Sequence, residues 1–134
     1  MSNLVIIDTS IFIDHLRTGC HQQRIDSLTG LIRMSSVVLA ELWRGATEPA
    51  EREFLRALEK NQRILTPTEN NWLESGRLLG QIYADKGCTP DKLRDLHFDV
   101  LIALTARSHG ARLITSDRAD FEMISAYRKF EYEI

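Results

Sequence analysis

The sequence predicts an α/β fold: a single domain over residues 1–134 with a mainly parallel central sheet flanked by helices. Three observations predict it. Short apolar runs of strand length, such as Leu4-Val5-Ile6-Ile7 and Leu113-Ile114, alternate with longer segments of helical period. The junctions carry Ser, Thr or Asp, which begin helices, or Gly, which ends them. The length of 134 residues suits one core, and no repeat, low-complexity tract or linker divides it. Strands joined through helices lie parallel, with both faces of the sheet covered.

Each element follows from local chemistry. Residues 3–7 are rich in β-branched side chains and end at Asp8-Thr9-Ser10, so a buried strand leads into a short helix over 10–16. A weaker helical pattern covers 21–28 and closes at Thr29-Gly30. Residues 31–34 form a second strand. Ser35 or Ser36 caps a helix running to Arg44, ended by Gly45. Pro49 opens the next helix, 49–60, with Phe54, Leu55 and Leu58 on one face. Residues 63–66 are a short strand, and Pro67 starts a long helix to Lys86, ended by Gly87. Gly76 and Gly80 lie inside it at about 1 kcal/mol each against alanine, which suggests close packing against a neighbour. A helix over 91–108 ends at His109-Gly110. A strand at 111–115, a helix from Ser116 or Asp117 to about Ala126, and a strand at 129–134 complete the chain.

Composition narrows the function. With 43% hydrophobic and 27% charged residues this is an ordinary globular composition. A net charge of −2 gives no bulk support to a nucleic-acid partner, so any attraction must be local. Arg107, Arg112, Arg118, Arg128 and Lys129 tilt the last third of the chain towards positive charge, which solvated surface also explains. Cys20 and Cys88 form no C-x-x-C and fit two thiols of a reducing compartment. The N-terminal apolar run lacks a basic flank and is too short for a signal peptide. No stretch nears the ~20 apolar residues of a membrane span. The expected location is cytoplasmic.

Four carboxylates stand out. Asp8 ends the first apolar run, Glu41 follows Val37-Val38-Leu39-Ala40, Asp99 interrupts a largely apolar helical stretch from Phe98 to Leu104, and Asp117 closes 113–116. Acids beside core-forming segments are costly unless compensated. Three have a local explanation: Asp8 and Asp117 as helix caps, Glu41 as the i,i+3 partner of Arg44. Asp99 has none. Its helical neighbours are Leu96, Ile102 and Ala103, with the like charge of Asp95 one turn before. Hard oxygen ligands gathered together suit Mg²⁺ or Mn²⁺. In a parallel sheet, Asp8 and Asp117 share the carboxyl edge, where sites form. Thr9, Ser10 and Thr115 flank the acids and can hold them by hydrogen bonds. Asp120 is either a further oxygen ligand or a helix-dipole partner. The four histidines show no zinc spacing, and no phosphate loop or nucleophile elbow is present. Trp43 and Trp72 are expected in the core.

These blocks resemble a known family. Val5-Ile6-Ile7-Asp8-Thr9-Ser10, Leu39-Ala40-Glu41-Leu42 with Arg44-Gly45, Asp99 to Ala106, and Leu113-Ile114-Thr115-Ser116-Asp117 with Asp120-Phe121 look like the PIN domain. They are similar in particular to VapC-type toxins of toxin–antitoxin pairs. The likeness runs in order from residue 3 to the end. It implies a Mg²⁺- or Mn²⁺-dependent endoribonuclease whose acids are Asp8, Glu41, Asp99 and Asp117, with Asp120 an occasional fifth and Thr115 as the supporting hydroxyl. It implies a cytoplasmic homodimer, a VapB-type antitoxin laid across the acidic cleft, an RNA substrate such as transfer RNA, and operator DNA bound only through the antitoxin. The match departs at Ser116, where Arg, Lys or Asn is often found. Two other readings compete: a PIN-like binding module without turnover, and a haloacid-dehalogenase-like phosphatase, which needs an Asp at the position of Ser10.

Overall fold

The computed structural model describes residues 3–18 and 31–134, and of residues 14–18 only the backbone. The helical pattern read at 21–28, together with His15, His21 and Cys20, lies outside the described residues or side chains. Five strands alternate with helices: β1 (Leu4–Ile7), α1 (Thr9–Thr18), β2 (Leu31–Ser35), α2 (Ser36–Gly45), α3 (Pro49–Asn61), β3 (Ile64–Leu65), α4 (Glu69–Lys86), α5 (Pro90–Ser108), β4 (Ala111–Ile114), α6 (Arg118–Tyr127) and β5 (Tyr132–Glu133).

The strands form one parallel sheet in the order β3-β2-β1-β4-β5. β1 is central, pairing Leu4 with Leu31 on one side and Ile7 with Ile114 on the other. Val5, Ile6 and Ile7 are all buried, as a strand covered on both faces requires. Strand order reverses between β1 and β4. A crevice opens at such a switch point, beyond the carboxyl ends of the strands.

The caps follow local chemistry. Ser35 Oγ accepts the Val37 and Val38 N–H groups at the start of α2. The long helix begins at Glu69 rather than Pro67, because Thr68 and Asn71 cap it reciprocally. Thr89 caps α5, with Pro90 in its first turn. Gly87 and Gly110 adopt left-handed φ values of 64° and 62° after α4 and α5, a conformation that favours glycine.

α5 is buried almost all round from Val100 to Ala106, because it runs between α4, α6 and the sheet. This placement leaves Asp99 half-buried at the edge of that buried stretch. Three expectations fail. A Cβ at Gly76 or Gly80 would meet nothing within 4 Å, so these glycines face open space rather than a neighbour. Trp72 is 52% exposed, on the outer side of α4, whereas Trp43 does pack against the core. The last strand shrinks to Tyr132–Glu133. No described helix is long and apolar enough to cross a membrane.

Candidate metal centre

Two strand ends build one side of the site. The ladder of β1 with β4 continues through the Asp8 N–H, which donates to the Ile114 carbonyl at 2.8 Å. Asp8 and Thr115 are therefore adjacent where the strands end. Asp8 is 3% exposed, and its Oδ2 accepts hydroxyl bonds from Ser10 and Thr115, both 2.8 Å. Thr115 Oγ1 also accepts the Asp117 N–H at 3.0 Å, and Ser10 Oγ accepts the Ser116 N–H at 3.2 Å. Ser116 thus joins the site through its backbone. A buried carboxylate satisfied by two hydroxyls needs no other internal partner.

Helices bring the remaining acids. Glu41, in the second turn of α2, accepts a 2.7 Å bond from Thr9 Oγ1. Arg44 acts on Glu41 only as a nearby charge; its guanidinium lies 5.2 Å from the Phe98 ring centroid. Asp117 does cap α6, accepting the Asp120 N–H at 3.2 Å. It also belongs to a cluster: Asp99, Asp117 and Asp120 each present a carboxylate oxygen, and these oxygens lie within 4.8 Å of one another. Asp120 takes a 2.8 Å ion pair from Lys92 Nζ, in the first turn of α5. Among the described residues, that is the one ion pair reaching the acids.

The charge balance is unfavourable without a cation. Burial, then the charges of Asp8, Asp120, Glu41 and Asp117, pushes the Asp99 carboxyl up from 3.8 to about 9. Burial also raises Glu41, against the opposing bond from Thr9, and it raises Asp117. Lys92 shifts up because of its bond to Asp120. An all-oxygen donor set of this kind fits a hard divalent cation. Of the acids singled out from sequence, Asp99, Asp117 and Asp120 converge most closely, with Asp8 and Glu41 within electrostatic reach.

Lys92 escaped the sequence reading because it stands 28 residues from Asp120. Its position seven residues before Asp99, on the same helical face, was the available signal. Two basic residues of the last third are engaged elsewhere: Arg112 pairs with Glu133 and Arg128 with Glu74. His97 bonds Ser75 at 3.0 Å and meets the Trp72 ring edge-on, a structural role. Cys88 is a free thiol.

Acidic side chains that could hold a metal ion stand at the switch point of a small parallel sheet in an α/β domain. The chain belongs to the PIN domain family, whose model matches residues 5–126. Its fold is similar to that of VapBC-1 from nontypeable Haemophilus influenzae (TM-score 0.70, 21% identity, 97% of this chain and 96% of that one). It is similar also to DNA-bound VapBC from Salmonella typhimurium (TM-score 0.70, 23% identity, 98% of each chain). A third likeness is to VapBC2 from Rickettsia felis bound to a promoter DNA fragment (TM-score 0.70, 20% identity, 97% of each chain). No curated protein matches the chain by sequence.

Proposed function

We propose that this chain, one PIN domain over residues 1–134, is the toxin of a type II toxin–antitoxin pair and an endoribonuclease dependent on Mg²⁺ or Mn²⁺. The observation that carries the reading is Asp99, half-buried among four other carboxylates, in a cluster that one lysine alone touches among the described residues. Such an arrangement is stable only when protonated or when a cation is bound.

Asp8, Glu41, Asp99 and Asp117 are the proposed catalytic and metal-holding residues, supported by Thr9, Thr115 and Asp120. When bound, the cation supplies positive charge against the RNA phosphate and makes a water more acidic. The chain's own part is to arrange the acids. Ser10 and Thr115 hold Asp8 through its Oδ2, and Thr9 fixes Glu41. Asp117 is oriented by its cap at the start of α6. Ser10 donates to Asp8 where a dehalogenase-like phosphatase would need a second acid, which disfavours that reading.

The VapBC likenesses support a VapB-type antitoxin as partner, closing the acidic cleft, with operator DNA bound only through it. A cytoplasmic homodimer acting on RNA, transfer RNA among the candidates, completes the reading. Its test is incubation of the purified chain with total RNA and Mg²⁺ or Mn²⁺. Cleavage is expected from the wild type, not in EDTA, and is reduced by on the order of a thousandfold in Asp99→Asn. Equal inactivity of wild type and Asp99→Asn toward RNA would contradict it.

A further inference from the structure

A cleft of about 680 Å³ is lined by Arg44, Asp91, Arg94, Asp95, His97 and Phe98. It is joined to the metal centre by both helices that form it. Arg44 stands one turn after Glu41 on α2, while Asp95 and Phe98 stand within one turn before Asp99 on α5. Glu41 feels the charges of both Arg44 and Asp95. The volume lies in the range of sites for small organic groups.

The lining has a particular chemistry. Phe98 is half-buried and packed on the core, so its ring is fixed from behind. The exposed guanidinium of Arg44 lies over that ring at 5.2 Å. The guanidinium thus covers the ring, and the pair offers a cationic, aromatic-backed surface of the kind on which unstacked bases rest. Arg94 is engaged by Asp91. Asp95 adds a carboxylate acceptor at the rim. With Asp91 paired to Arg94, the Asp95 carboxylate is the group placed to accept a hydrogen bond from the exocyclic amine of a base.

We infer that the Arg44–Phe98 platform is a nucleobase subsite, holding an unpaired base of the RNA strand next to the scissile phosphate. The inference rests on the ribonuclease reading and extends it to how the strand is placed. A base stacked there, with its amine towards Asp95, sets which nucleotide neighbours the cut. The acids then act on the adjoining backbone, and the cut site acquires a base preference.

The test uses the full chain and short RNAs spanning cleavage sites mapped with the wild type. Each nucleotide within three of the cut is replaced in turn by an abasic unit. Binding is read by fluorescence anisotropy on the Asp99→Asn chain. One abasic position is expected to weaken binding about tenfold, within the span of stacking losses. That penalty is expected to vanish when Phe98→Leu is added and, separately, when Arg44→Met is added. Arg44 is exposed, so its replacement keeps the test decisive should Phe98→Leu disturb folding.

Equal binding of all abasic RNAs overturns the subsite, as does a penalty that survives both variants. Loss of antitoxin affinity in the two variants, with RNA binding unmoved, assigns the cleft to the protein partner and overturns it too. Absence of any RNA cleavage by the wild type removes the ribonuclease reading and the subsite with it. Cleavage without a base-dependent position removes the subsite alone.

Discussion

Two acids at one sheet edge are treated in opposite ways. Asp8, at the end of β1, is deeply buried yet receives hydroxyl bonds from Ser10 and Thr115. Asp99, in the middle of α5, is held among like charges, and burial keeps its carboxyl up at about 9. The backbone explains the contrast. Strand ends and cap positions supply hydroxyls and N–H groups, whereas a helix interior has spent its N–H groups on itself. One half of the site is built by the polypeptide; the other calls for a charge from outside.

The largest expected effect comes from pH. Between about pH 4 and pH 9 the folded chain retains a proton on Asp99 that the unfolded chain has released. The stability of the cation-free protein therefore falls as pH rises through that window, by on the order of 1 kcal/mol per pH unit. Glu41 and Asp117, also raised, act in the same direction. Thermal unfolding in EDTA at pH 5, 7 and 8.5 should give a descending Tm. A flat profile would mean that the fold compensates Asp99 as it does Asp8.

Thr115→Val attacks the other half. It leaves an Asp8 oxygen short of a donor and the Asp117 N–H short of an acceptor. The expected loss is about 1–3 kcal/mol in urea denaturation. Metal affinity should fall about tenfold or more, because Thr115 orients groups around the centre. A neutral substitution would show that Asp8 does not depend on its hydroxyl shell.

The smallest effect lies far from the acids. Gly80→Ala should raise stability by about 0.5–1 kcal/mol in the isolated chain, since the added methyl meets nothing within 4 Å. Denaturation at low and high protein concentration checks this. A loss that grows with concentration would reveal a second copy packed on that face.

How much of this was legible in the sequence depended on range. Strands and helices declared themselves because period, caps and breakers are local: Ser35 before α2 and Gly87 after α4 sit where their chemistry requires. Asp8 and Asp117 were readable as strand-end residues, and Asp99 as an acid without local relief. The bond from Thr9 to Glu41, 32 residues apart, and the one from Lys92 to Asp120 needed the fold. Gly80 misled because its cost in a helix implied a neighbour that the fold does not supply, and Trp72 because it was read from helical spacing. A helical stripe tells which residues share a face, but the covering of that face is decided by other elements. α4 turns Leu78 and Ile82 inward and leaves Trp72 and Gly80 outside.

The central claim is that distant carboxylates share one divalent cation, with Asp99 the member that gives up a proton to it. Isothermal titration of the purified chain with Mn²⁺ at pH 7, in two buffers of different ionisation enthalpy, measures affinity and proton release together. Binding with release of about one proton is expected, and at least tenfold weaker binding without that release in Asp99→Asn. No binding by the wild type, or the same affinity and proton count in both chains, would contradict it.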